Sequence, residues 1–141
     1  MKFAYKNYPT PNGESDYCAT LQVQISNPVT HSPPSKRFEA LIDSGASRCI
    51  FHAGLGKGVG FNIEKGEVEE TYGISGKPTL LYLHKISLYV AGHIITIIDG
   101  FSYDIPLAAV LGRRGFFDNF KVAFDASTNP LTFDLERIHK I

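Results

Sequence analysis

The chain has 141 residues, 43% hydrophobic and 20% charged, which suits one globular domain with a real hydrophobic core over 1–141. Fourteen Lys and Arg balance fourteen Asp and Glu, so no overall field favours nucleic acid or an anionic membrane as a partner. Met1–Tyr8 lacks an apolar run of signal-peptide length, and Ile94–Ile98, the longest apolar stretch, is far too short to span a bilayer; a cytoplasmic protein is expected.

Residues 3–8 read as a short edge strand, broken by Pro9 and Pro11. Tyr17–Ser26 alternates, with Ala19, Leu21, Val23 and Ile25 on one face and Thr20, Gln22 and Gln24 on the other. That is the pattern of a half-buried strand. Asn27–Lys36, with three prolines, is a loop. Phe38–Ile42 is a strand, and Cys49-Ile50-Phe51 a short one beyond the turn that follows.

Gly54-Leu55-Gly56-Lys57-Gly58-Val59-Gly60 has the look of a phosphate loop, but Gly58 stands where Ser or Thr is needed and the spacing is not GxGxxG. It reads instead as a connection with at most one helical turn. Glu67–Tyr72, the tip Gly73–Gly76 and Thr79–Val90 form a long hairpin, in whose returning arm Ile86, Leu88 and Val90 share a face. Ala91-Gly92-His93 is a turn, Ile94–Ile98 a strand, and Asp99-Gly100 a further tight turn. Leu107–Leu111 is almost wholly apolar and ends at Gly112. The spacing of Phe116, Phe117 and Phe120 predicts one short helix with an aromatic face on the core. Val122, Phe124, the turn Ser127–Pro130, and Leu131, Phe133 and Leu135 make a closing hairpin. The sum is a mostly β domain.

Cys18 and Cys49 form no CxxC pair and read as small buried hydrophobes, with one disulfide the lesser alternative. None of the five histidines stands at a ligand spacing such as HxxxH. No metal and no cofactor is expected.

The stretch Ala40-Leu41-Ile42-Asp43-Ser44-Gly45-Ala46 carries the chemistry. A carboxylate at the end of an apolar strand is a costly placement unless it is paired or neutralised. Read alone, the stretch is more often a strand ending in a polar turn than an active site. Leu41–Ala46 together with Val110-Leu111-Gly112-Arg113 far downstream resembles the retropepsin-like aspartic proteases. Thr71-Tyr72-Gly73-Ile74-Ser75-Gly76 resembles the flap tip of their pepsin-type relatives. The order of loop, flap hairpin and apolar-apolar-Gly strand is also similar, over about residues 17–135.

The resemblance implies a closed β-barrel with a flap hairpin and one short helix. It implies an aspartic endopeptidase with Asp43 as the catalytic carboxylate, Ser44 bonding across a dimer axis, and Gly45 offering its backbone to substrate. Ala46 and the flap residues Tyr72, Gly73, Ile74, Ser75 and Gly76 would bind a peptide or protein substrate, while Val110, Leu111, Gly112 and Arg113 would support the loop from behind. Many family members place an acid after Asp-Ser/Thr-Gly-Ala, paired with the Arg of Gly-Arg; here Ser47 stands there, followed by Arg48, and Arg113 needs another partner.

Metal-free peptide hydrolysis without a covalent intermediate needs a base to activate water and an acid to protonate the carbonyl oxygen. Two close carboxylates sharing one proton serve as both. The chain holds one Asp-Ser-Gly: Ile98-Asp99-Gly100 lacks the hydroxyl residue and Asp125-Ala126-Ser127 lacks the glycine. The second carboxylate is then expected to be Asp43 of another copy, which requires a two-fold axis and a homodimer. Two alternatives stay open, a retropepsin-like binding or dimerisation module with little turnover and a small β-barrel ligand binder.

Overall fold

A computed structural model describes residues 1–72 and 76–139. Among these residues twelve strands occur, in chain order β1 (Lys2–Ala4), β2 (Lys6–Pro9), β3 (Ser15–Cys18), β4 (Thr20–Ser26), β5 (Phe38–Ile42), β6 (Ile50–His52), β7 (Glu67–Tyr72), β8 (Pro78–Val90), β9 (His93–Ser102), β10 (Ala109–Leu111), β11 (Phe120–Asp125) and β12 (Thr132–Arg137). One α-helix, α1 (Ala53–Gly58), and a 3-10 turn at Ile63–Lys65 lie between β6 and β7.

Six strands close on themselves. The order β4-β5-β10-β6-β9-β8 returns to β4 through the pairing of Gln24–Ser26 with Ser87–Tyr89. Closure removes the unpaired edges of these strands, and β7 continues the sheet outward from β8. The alternation in β4 sets the inside: Leu21, Val23 and Ile25 are buried, as is Ala19 just before the strand. Ile86, Leu88 and Val90 of β8 meet them in the core. Phe51, Phe61 and Phe101 pack in tilted pairs across the barrel interior.

The terminal segments form a second sheet in the order β1-β12-β11. Its core side is aromatic, with Phe133 fully buried and stacked on Phe3. The segment read as one edge strand over 3–8 is two strands, β1 in this sheet and β2 paired with β3. Tyr17–Ser26 is likewise divided at Ala19.

Two expectations are corrected. Asp99-Gly100 is no turn: β9 runs unbroken from His93 to Ser102, and Gly100 pairs with Leu83 and Ile50 inside the sheet. Inward parity continues through Ile95, Ile97, Asp99 and Phe101, all buried. The helix is also not at Phe116–Phe120, where Arg113–Asn119 forms hydrogen-bonded turns instead. Gly115 sits at φ +99 within them, a left-handed geometry that stops an α-helix. The aromatic face survives without the helix, since Phe116 and Phe120 are buried and stacked. The one α-helix is the short turn at Ala53–Gly58, started by His52, whose Nδ1 accepts from the Gly54 N–H.

Candidate active site

β5 delivers Asp43 to the barrel end, and β10 lies parallel beside it in the register Ala109↔Ala40, Val110↔Leu41 and Leu111↔Ile42. β10 is flanked on its other side by β6, antiparallel. The pairing persists past the strand ends. The Asp43 N–H donates to the Leu111 carbonyl at 3.0 Å, the Arg113 N–H to Ala46 at 2.8 Å, and the Arg114 N–H to Ser47 at 3.0 Å. The loop 43–48 is thus laid along residues 111–114 by main-chain bonds alone.

This close approach explains Gly112. A Cβ there would overlap the carbonyl oxygen of Arg48 and stand 2.7 Å from that of Ala46. The two backbones occupy the space a side chain would need, so only glycine fits.

Within the loop, Asp43, Ser44 and Gly45 are exposed and Ala46 is half-buried. The Asp43 Oδ1 accepts the Gly45 N–H at 2.9 Å, and the Ala46 N–H closes the turn on the Asp43 carbonyl at 3.2 Å. An Asp bonding the amide two residues on is the usual way such a turn is fixed. Asp43 therefore does not bear the burial cost that its apolar strand suggested. Its carboxylate stands at the surface with its backbone pinned.

The buried carboxylate is Asp99. It is fully inaccessible; its Oδ1 accepts the Cys49 N–H at 3.1 Å, and its Oδ2 has no hydrogen-bond partner among the described residues. Burial pushes its carboxyl up to about 8, against the opposing pull of the nearby Arg48 and the Cys49 amide. Asp99 is thus largely protonated at neutral pH, and the Arg48 Nη1 at 3.8 Å is too far for a hydrogen bond. Burial, with Asp99 alongside, also pushes the Cys49 thiol well up. Neither cysteine is in a disulfide; Cys49 is buried and Cys18 half-buried.

Arg48 is the cation of the site. Its Nε donates to Glu69 Oε2 at 2.6 Å and its Nη2 to Glu69 Oε1 at 3.2 Å, a bidentate pair. Its Nη1 donates to the Ile98 carbonyl at 2.8 Å. The hydrogen bond from Arg48 holds Glu69 below the usual carboxylate range. Arg113, expected to need a partner, is exposed and makes no ion pair among the described residues.

Of the flap residues, Tyr72 ends β7, is exposed, and donates its hydroxyl to Glu70 Oε2 at 3.1 Å. Gly76 takes φ +73. Gly73, Ile74 and Ser75 lie outside the described residues. Sequence reading missed Arg48, Glu69 and Asp99 as a group; the signal for Asp99 was its inward parity with Ile95 and Ile97.

Solved structures share this architecture. A retropepsin-like aspartic protease from Rickettsia conorii matches with a TM-score of 0.53 at 14% identity, over 94% of this chain and 88% of its own. The EIAV protease complexed with the inhibitor HBY-793 matches with a TM-score of 0.51 at 17% identity, over 68% of this chain and 82% of its own. No family model matches the sequence, and no curated protein matches it. The likeness is one of fold: the chain has a retropepsin-like closed β-barrel with one short helix. No helix among the described residues is long and apolar enough to cross a membrane.

Proposed function

We propose that the protein is an aspartic endopeptidase acting as a homodimer, with one Asp43 from each copy. The observation that carries this reading is the exposed Asp43 carboxylate on a loop whose backbone is bonded to Leu111 and packed against Gly112. The retropepsin-like fold supports it.

Two Asp43 carboxylates a few ångströms apart would share one proton, because like charges at that range do not both ionise. This is a general property of aspartic dyads, whose two titration steps belong to the pair rather than to either residue. The ionised member takes a proton from water, which attacks the peptide carbonyl. The protonated member gives its proton to the carbonyl oxygen, forming a tetrahedral diol. Collapse of the diol breaks the C–N bond, with a proton passing to the leaving nitrogen. Ser44 would bond across the axis, and Gly45 and Ala46 would present backbone to an extended peptide. The flap from Tyr72 to Gly76 would cover that peptide, held like an added strand.

The deciding experiment is cleavage of an unstructured protein at mildly acidic pH by the wild type and by Asp43→Asn. Loss of cleavage in the variant with an unchanged melting temperature is expected. Undiminished cleavage would exclude the mechanism. The second reading, a binding or dimerisation module with little turnover, draws on Ser47 standing where an acid partner for Arg113 is usual. A wild type that dimerises but cleaves nothing would favour it.

A further inference from the structure

β7 extends the barrel sheet beyond the closed six strands: it pairs with β8 on one edge and, among the described residues, with no strand on the other. It is also the arm that leads into the flap tip. Among the described residues, Arg48–Glu69 is the only ion pair that reaches β7. That pair approaches from the active-site loop, since Arg48 lies five residues beyond Asp43 in the segment bonded to 111–114.

We propose that Arg48 is a positioning residue that couples the Asp43 loop to the flap arm through Glu69. The inference rests on the reading of Asp43 as catalytic, but its structural half stands apart from it. Three observations carry the coupling. The Arg48 side chain is 13% exposed and that of Glu69 33% exposed, so the pair is partly shielded compared with an ordinary surface contact. The grip is bidentate, which fixes direction as well as distance. The third prong, Nη1 to the Ile98 carbonyl, anchors Arg48 to β9 as well as to β7.

β7 is therefore held by its ladder to β8 and, through the Glu69 side chain, by the loop that carries Asp43.

The test compares wild type, Glu69→Gln, Arg48→Lys and the charge-reversed double variant Arg48→Glu/Glu69→Arg. Amide hydrogen exchange over residues 67–72 is read first, since it requires no activity. Exchange there is expected to speed by about fivefold in Glu69→Gln, the loss of one well-formed ion pair, while the β4 and β5 amides stay unchanged. Arg48→Lys, which keeps the charge but loses the fork, should lie between wild type and Glu69→Gln, and the reversed pair should recover part of the protection. On a cleaved peptide, Glu69→Gln is expected to raise KM several-fold with kcat within about twofold. Unaltered exchange over 67–72 in Glu69→Gln would overturn the coupling. A wild type without peptidase activity, yet with the expected exchange pattern, would overturn the catalytic reading and keep the strut.

Discussion

Asp99 and Gly115 share one small volume: the Oδ2 of the buried carboxyl occupies the place where a side chain on Gly115 would begin. Gly115 also holds φ +99, which a residue with a Cβ adopts only under strain. Gly115→Ala should therefore cost stability on two counts, about 2–4 kcal/mol together. Chemical denaturation of the variant beside the wild type measures this; a loss below about 0.5 kcal/mol would mean that the two groups separate easily.

Asp99 makes stability depend on pH. Its carboxyl titrates near 8 in the folded chain and near the ordinary aspartate value of about 3.9 when unfolded. Between those limits the folded state holds a proton that the unfolded state has released, so stability falls as pH rises from about 4 to about 8 and levels off above. Asp99→Asn keeps an acceptor for the Cys49 N–H and carries no proton to lose. Its urea midpoint should vary less between pH 5 and pH 8, and at pH 8 it should exceed wild type by about 2–5 kcal/mol. Parallel pH slopes for the two proteins would refute a neutral Asp99.

Gly112→Ala forces the backbones of Ala46 and Arg48 away from residues 111–114. The expected cost is about 2–4 kcal/mol in stability, with a drop in any Asp43-dependent cleavage larger than the unfolded fraction explains. Thermal melts and initial rates on the same samples separate the two effects.

Tyr72→Phe removes only the bond from an exposed hydroxyl to Glu70. Its stability should stay within about 0.5 kcal/mol of wild type, as read from the melting temperature. A larger loss would show that the hydroxyl is more deeply engaged than that single surface bond.

Much of this molecule is legible in its sequence because its strands keep a period of two. Phe38–Ile42 matches β5 residue for residue, and the inward set Ala19, Leu21, Val23 and Ile25 is buried throughout. The closing hairpin around Phe133 follows the same rule. What misled were short-range cues overruled at long range. Asp-Gly signals a turn locally, yet Asp99 and Gly100 are drawn into β9 by pairing with His84 and Leu83. Three phenylalanines at helical spacing bury their rings from a chain of turns, because Gly115 bends where Asp99 needs room. The Arg48–Glu69 contact spans 21 residues of sequence and obeys no period, so nothing in the linear pattern announces it.

The placement of β10 between β5 and β6 has a consequence in time. The strand that completes the bed of the Asp43 loop lies some 70 residues later in the chain, and it enters parallel to β5, a pairing that no hairpin can template. Contacts of such long sequence separation form late, after their loop-closure entropy has been met. During synthesis, a ribosome-bound chain that has not yet released residues 109–114 carries Asp43 on a loop without its bed. The backbone bonds from Asp43 to Leu111 and from Arg113 to Ala46 therefore wait on completion of the barrel.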